Sequence, residues 1–450
     1  MIEVVMTVYA CRPNAGSEEG MGWNWVKNLG RHCRLHVINE GEWKEEVEAA
    51  LAQLEYRDNI TMYYLPVSEK VREMCWNQGN WLFYLHYRRW HIRAYRKALE
   101  IIDQHPVDLV HQLNFISFRE PGFLWKIKSL PFVWGPVGGM ENMPVPYIKG
   151  ESWKHKLFVL LKNTLNTLQV KFQPRVRRAM NHAAVVIASG KGIETIVRRE
   201  FGREPVTINE TGCYPADTPD VSVSANPADA VGISVSASPA DLPESSAPAS
   251  PASSHPIETT SGDFNILWVG KFDYRKQLGL ALRTIAALKH LPGIRFHVAG
   301  TGSDADVARF HQLSDDLGLH DITRWHGRMS NPQVHQLMHQ SQLLFFTSIM
   351  DATSTVVVEA IMNKLPVVCF NICGFGPIVD KSVGRTIDLS DPTNSVTEFK
   401  REIENLYRNR TILSQLSAQC ALKSKGELAW PVKAQKMKEL YEDVLTEKAE

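Results

Sequence analysis

Short uninterrupted apolar runs, each followed by an amphipathic and charge-bearing stretch, recur along most of the chain and restrict its fold more than any other feature. The runs fall at Ile2 to Tyr9, Arg34 to Ile38, Ile60 to Leu65, Leu109 to Gln112, Phe132 to Trp134 and Ala184 to Ala188. They resume as FNILWVG, IRFHVAG, ITRWHG, LLFFTS and PVVCF, with helices expected between them, such as Gln277 to His290 and Pro332 to His339. A strand that is apolar throughout must be covered on both faces, and alternation with helices implies parallel sheets between helical layers. In such sheets ligands bind beyond the carboxyl ends of the strands, so the residues directly after each run are where chemistry is expected.

The rhythm breaks once. From Pro215 to about Gly262 the chain reads PADTPDVSVSANPADAVGISVSASPADLPESSAPASPASSHPIETTSG, dominated by Pro, Ala, Ser and Asp. Such a stretch buries too little apolar surface to offset its ordering entropy, and is expected to be a disordered linker or insertion. Its loose repeat, SVSANPADA and SVSASPADL, leaves an interaction motif as the other reading. A chain of 450 residues exceeds what one core organises. The expected division is a Rossmann-like α/β domain over 1–214, the linker over 215–262, a second Rossmann-like domain over 263–428 and a closing helix over 429–450.

Composition then works by exclusion. A formal net charge of +1 gives no case for a nucleic-acid partner, and no recognised RNA module is present. Seven scattered cysteines, an odd count, argue against a disulfide framework and for a reducing, cytoplasmic compartment. The opening IEVVMTVYA lacks a basic leader region and reads as a buried strand rather than a signal peptide. No run approaches the roughly 18 to 20 apolar residues of a membrane span, so membrane contact, at the inner face, would be peripheral.

In the second half, FNILWVG ends at Gly270, placing Lys271 at the strand end and Lys276 in the loop before a helix. Two ammonium groups there are placed to grip a diphosphate, the other reading being solvated loop lysines. IRFHVAG runs into Gly300, Thr301 and Gly302, a turn whose glycines would let backbone approach a ligand. FFTSIMDATSTVVVEAIMNKLPVVCF reads as strand, loop, a short helix from about Thr355 to Asn363, and strand. Thr353, Ser354 and Thr355 suit the amino end of that helix, where free N–H groups form an anion site. Glu359, about one turn in, is placed to accept hydrogen bonds from ribose hydroxyls, and Asp351 from a sugar hydroxyl. Val356, Val357 and Val358 conflict with this by favouring a strand, so a buried strand is the rival reading.

Gly270 and Lys271 with Lys276 five residues on, VAG then TG, HGRMS, and Asp351 spaced eight from Glu359 before AIMNKLPVV together resemble family 4 glycosyltransferases of the GT-B fold. This chain has Asp where the family usually has its first Glu, Ala352, Thr353 and Ser354 where Gly-Phe-Gly is common, and Lys271 where Arg is more frequent. A lysine keeps the charge but loses the planar fork. The resemblance implies two Rossmann-like domains facing a cleft, a UDP- or GDP-linked sugar donor, and transfer with retention of configuration. It also implies that the helix opening at Trp430 crosses back to the first domain.

In the first half, YACRPNAGSEEGMGWNWVKNL carries Gly16, Gly20 and Gly22 ahead of a helix expected from near Met21. The resemblance puts Gly16, Ser17 and Glu18 across the cleft from the donor diphosphate, with solvated charges the rival reading for Glu18 and Glu19. His111 ends the strand DLVHQ and is followed by Asn114 and Arg119; the resemblance sets a histidine here against the donor sugar. Gly138, Gly139 and Glu141 follow PFVWGPV and suggest a loop lining the same cleft on the acceptor side. Residues 80–97 interleave Trp81, Phe83, Tyr84, Tyr87, Trp90 and Tyr95 with arginines, and 153–178 mix Trp153, Phe158, Leu160 and Leu161 with cations. Both fit helices on an anionic membrane surface, or aromatic helices packed into a core.

The function expected is transfer of a hexose from a nucleotide-diphospho-sugar to a saccharide, expected to be lipid-linked, in cell-surface polysaccharide or glycolipid synthesis. His111, Lys271 and Lys276 are the expected catalytic groups. No His and carboxylate spacing suggests a metal, Cys369 and Cys373 lack a second pair, and no cofactor is expected beyond the donor. A sugar-nucleotide epimerase, which would need an acid/base pair not evident here, and a non-catalytic scaffold are the alternatives.

Overall fold

The computed structural model describes residues 1–76, 82–113, 117–215, 262–351 and 355–449. The first sheet is built from β1 (Ile2–Thr7), β2 (Cys33–Asn39), β3 (Ile60–Tyr64), β4 (Leu109–Gln112), β5 (Phe132–Val137), β6 (Ala183–Ala188) and β7 (Val206–Thr207), in the order β3-β2-β1-β4-β5-β6-β7. The second comprises β8 (Phe264–Val269), β9 (Ile294–Ala299), β10 (Thr323–Gly327), β11 (Leu343–Phe346), β12 (Val367–Phe370) and β13 (Gly384–Ile387), in the order β10-β9-β8-β11-β12-β13. Every pairing in both is parallel. Each sheet is therefore doubly wound, and the order reverses at β1/β4 and at β8/β11, which opens a crevice beyond the carboxyl ends of each pair.

The apolar runs are central because burial on two faces rewards them. Val4, Val5 and Met6 of β1 are fully buried, as are all six residues of β8. β7 and β13 carry no such run and lie at sheet edges, which is why the sequence rhythm does not announce them. The segment from Thr355 to Met362 is helical despite its three valines. Val357 and Val358 are buried against the sheet, and that packing outweighs their preference for a strand. The first helix, Ser17–Leu29, begins four residues before the expected Met21, with Gly16 as its N-cap. Gly20 thus lies inside the helix, where a Cβ would fall 1.9 Å from the Ala15 carbonyl oxygen, so its role is close packing rather than ligand approach.

The chain passes between the domains twice, and the two crossings are bonded together. Cys213 N–H donates to Leu428 O at 2.9 Å, and Trp430 N–H donates to Cys213 O at 3.0 Å. Beyond this bridge the helix Trp430–Ala449 packs on Ser17–Leu29 of the first domain, with Trp25 and Trp430 edge to face at 5.4 Å and Met437 and Tyr441 buried. Trp430→Ala removes the larger part of this anchor and is expected to cost about 3–5 kcal/mol. Urea unfolding followed by tryptophan fluorescence and circular dichroism measures it, and a loss under about 1 kcal/mol would contradict the anchoring role.

Candidate functional site

The crevice at β8/β11 receives the loop after each strand. Lys276, from the loop after β8, forms an ion pair with Asp351, from the loop after β11, and both side chains are more than nine-tenths buried. The lysine is held from behind. Its carbonyl accepts from Thr347 Oγ1 at 2.7 Å, Thr347 in turn accepts from Trp268 Nε1 at 2.9 Å, and the ammonium lies 5.2 Å from the centroid of the Phe346 ring. Arg275, which sequence reasoning missed, stands beside it with its guanidinium 2.7 Å from Asp273 and its carbonyl accepting from Ile349 N–H. Lys271 is half-buried in the same loop.

Glu359 lies one turn into the helix Thr355–Met362, half-buried, and accepts from Asn331 Nδ2 at 3.2 Å. Burial raises its carboxyl above the usual range, and the Asn331 bond partly counters this. Thr355 opens the helix; Thr353 and Ser354 lie outside the described residues, as does Asn114. Gly300 and Gly302 have an internal explanation. Gly300 has φ of +151°, and a Cβ there would sit 1.8 Å from Gly270 O, while one at Gly302 would sit 2.7 Å from Phe272 Cβ. These glycines let the turn after β9 close onto the loop bearing the lysines.

Across the cleft, Gly16 caps the helix whose first residue is Ser17 and whose first turn holds Glu18. Gly138 pairs with Ser117, and Gly139 is exposed with φ of +76°. Glu141 reaches the other domain: its carboxyl lies beside Cys373, whose thiol and backbone N–H oppose the rise in pKa that burial causes. Cys373 has φ of +52°, a left-handed conformation rare for a residue with a side chain, and its thiol lies beside Asp351 as well. Glu141, Cys373, Asp351 and Lys276 thus form a polar chain of neighbouring side chains from one domain into the other, of which Lys276 and Asp351 are ion-paired. Beside Glu141, between the helices Trp153–Phe172 and Lys191–Phe201, lies a cavity of about 390 Å³ lined by Asn142, Thr167, Lys171, Thr195 and Arg199.

His111 departs from its expected catalytic role. Its side chain is wholly buried, Nε2 donates to Gly135 O at 2.7 Å, and Nδ1 accepts from Tyr441 Oη at 2.6 Å. Burial pushes its pKa down to about 4, so it is a neutral imidazole tying β4 to the final helix, with neither nitrogen left for substrate. Position at a strand end suggested chemistry; the partner that consumes it is 330 residues away.

Glu210, on the first crossing, was not legible either. It is fully buried, and neither carboxyl oxygen has a hydrogen-bond partner. Its main chain is fixed through Trp25 Nε1, which donates to Glu210 O at 3.1 Å, and Asn209 Nδ2, which donates to Gly374 O at 2.9 Å. Burial pushes this carboxyl up to about 8, opposed by Lys433 and assisted by Asp351 and Glu18.

Two doubly wound domains with the polar chain between them define the GT-B architecture. Residues 252–424 match the family described as glycosyl transferases group 1. The fold is shared with a glycosyltransferase from Rickettsia africae (16% identity, 99% of this chain and 98% of that one, TM-score 0.59). It is also shared with HepE from Anabaena in complex with UDP (14% identity, 98% and 100%, TM-score 0.55) and with the lipopolysaccharide outer core galactosyltransferase WaaB (12% identity, 99% and 100%, TM-score 0.58). No curated protein matches the sequence.

The folded chain holds the Glu210 proton up to about pH 8, whereas the unfolded chain releases it near its ordinary value of 4.5. The unfolded state thus binds fewer protons across that window, and stability falls as pH rises through it. Glu210→Gln removes this loss, so its stability relative to the parent is expected to rise between pH 5 and 8 by on the order of 1 kcal/mol or more, measured by urea unfolding. Parallel profiles would show that the carboxyl is ionised in the fold.

Proposed function

We propose that the chain is a retaining hexosyltransferase of the family 4 type. It would use a UDP- or GDP-linked sugar and a lipid-linked saccharide acceptor in cell-surface polysaccharide or glycolipid synthesis, without a metal or other cofactor. The observation that carries the reading is the buried Lys276 and Asp351 pair in the switch-point crevice of a group 1 glycosyltransferase domain. Lys271, Arg275 and Lys276 supply positive charge where a diphosphate leaving group develops negative charge, and the start of the helix at Thr355 adds N–H groups. Glu359, with Asn331 orienting its carboxylate, serves the ribose; Asp351 serves a sugar hydroxyl. HepE binds UDP on the same fold, which supports a nucleotide donor here.

Lys162 on the other wall lies near Arg119 and, across the cleft, Arg275: burial lowers the Lys162 pKa first, and the two arginines lower it further. Three cations so disposed, two from the first domain and one from the second, suit an acceptor that itself carries phosphate. Glu141 and the adjoining polar cavity then take its sugar.

The helix Trp153–Phe172 supplies the route to a lipid. It contains no acidic residue and leaves Trp153, Leu157, Phe158, Leu160, Leu161 and Phe172 exposed, Trp153 by 70% and Phe172 by 67%. Lys154 and Lys156 flank this face, so it suits the inner, anionic surface of a membrane. Among the described residues no helix is long and apolar enough to cross one. The aromatic stretch at 80–97 divides differently: Phe83, Tyr87 and Trp90 are buried in the core, and Arg88 is engaged by Glu120, leaving Leu82, Tyr84 and Leu85 outside. Trp81 lies outside the described residues.

Two measurements test the reading. Donor screening by calorimetry and turnover should find one nucleotide sugar consumed only with acceptor present, and Glu359→Ala should weaken nucleotide binding at least about tenfold, or about 1.4 kcal/mol. Consumption without acceptor would favour the epimerase, and unchanged nucleotide affinity would remove Glu359 from the site. Leu161→Glu should reduce co-sedimentation with anionic vesicles several-fold while leaving nucleotide binding intact; unaltered sedimentation would exclude the helix as the membrane face.

A further inference from the structure

At the beginning of β1, the end remote from the cleft, three side chains from separate elements converge: Glu3 of β1, His36 of β2 and His105, just after the helix Leu82–Gln104. One ligand atom from each lies within 4.8 Å of the others. His36 Nε2 is 2.8 Å from Glu3 Oε1, His105 Nδ1 is 3.9 Å from the same oxygen, and the imidazole centroids are 4.4 Å apart. A tetrahedral zinc ion with bonds of about 2.0–2.1 Å holds its ligand atoms roughly 3.3 Å apart, between the two oxygen-to-nitrogen distances seen here.

The surroundings also fit. Glu3 and His36 are buried, with their ligand atoms to part by about half an ångström, whereas the His105 side chain is 39% exposed and closes by a similar amount. The second nitrogen of His36, Nδ1, lies 3.1 Å from Tyr63 Oη, the outer partner that orients a metal-bound imidazole. Arg34 approaches the other carboxylate oxygen, Oε2, at 3.6 Å and leaves Oε1 to the cluster. Two imidazoles and a carboxylate are a donor set suited to zinc.

We propose that Glu3, His36 and His105 bind a zinc ion, with water in the fourth position. On binding, the His36 proton moves from Nε2 to Nδ1 and is donated to Tyr63 Oη, so the ring stays neutral and no proton is lost. The ion ties two strands to the end of the long helix on the side away from the cleft, so its role is to hold the first domain together, independent of glycosyl transfer.

The test uses the full chain, stripped with a chelator and titrated with zinc chloride by calorimetry, with thermal unfolding followed in parallel. One equivalent should bind with micromolar or tighter affinity and raise the melting temperature. Cobalt(II) in its place should give the visible absorption of a tetrahedral site. His105→Ala, a substitution outside the core, should weaken binding at least tenfold and abolish both the temperature rise and the cobalt spectrum. Absence of zinc uptake by the parent chain would overturn the proposal, as would uptake by His105→Ala with unchanged affinity, which would place the metal on other histidines.

Discussion

An ammonium and a carboxylate taken out of water together, Lys276 and Asp351, fix most of the polar geometry at the cleft. Either charge alone would cost several kcal/mol to bury, and only their mutual attraction and surrounding hydrogen bonds offset that cost. The surroundings are built accordingly. Thr347 and Trp268 hold the lysine main chain from within the second domain, and Asp351 stands beside Cys373, which adjoins Glu141 of the first. Positioning of the charge pair is thus coupled to how the domains meet, and a phosphate arriving at Lys276 would compete with Asp351 for the ammonium.

The closeness of approach has its own requirements. A Cβ at Gly190 would lie 2.3 Å from Cys373 O, and one at Gly374 would lie 2.7 Å from Asn209 Nδ2. These glycines allow the loop after β12 to meet the first domain backbone to backbone. Their φ values are ordinary, so the constraint is space rather than conformation. Glu210 lies in the same packed region, where desolvation is severe enough to keep its carboxyl protonated near neutral pH.

What the sequence made legible follows the range of the forces involved. Strands buried on both faces, such as β1 and β8, announce themselves because most of their residues must be apolar; the edge strands β7 and β13 answer to no such rule. Lys276, Asp351 and Glu359 stand out in the sequence because the positions after strands are chemically privileged and because their spacing carries a resemblance. His111 satisfied the same positional rule and is nonetheless a packing residue, since nothing local reveals Tyr441 above it. Cys373, Arg275 and Glu210 were missed for the converse reason: their environments are made by distant segments. The aromatic stretch at 80–97 shows the same limit, because residue type cannot say that Phe83, Tyr87 and Trp90 face inward while Tyr84 does not.

The paired crossings at Cys213 and Ala429 deserve a mechanical reading. A single connection would leave one domain free to swivel and twist about the other. Two strands of chain bonded side by side act as a hinge with a defined axis, and the final helix, locked onto the first domain by Trp430, extends one leaf of it. Opening about that axis would also draw Tyr147, packed in the second domain's core and hydrogen-bonded to Ser395, out of its place. The residues that meet across the gap, Glu141 and Cys373, would separate and rejoin in the same register on every cycle.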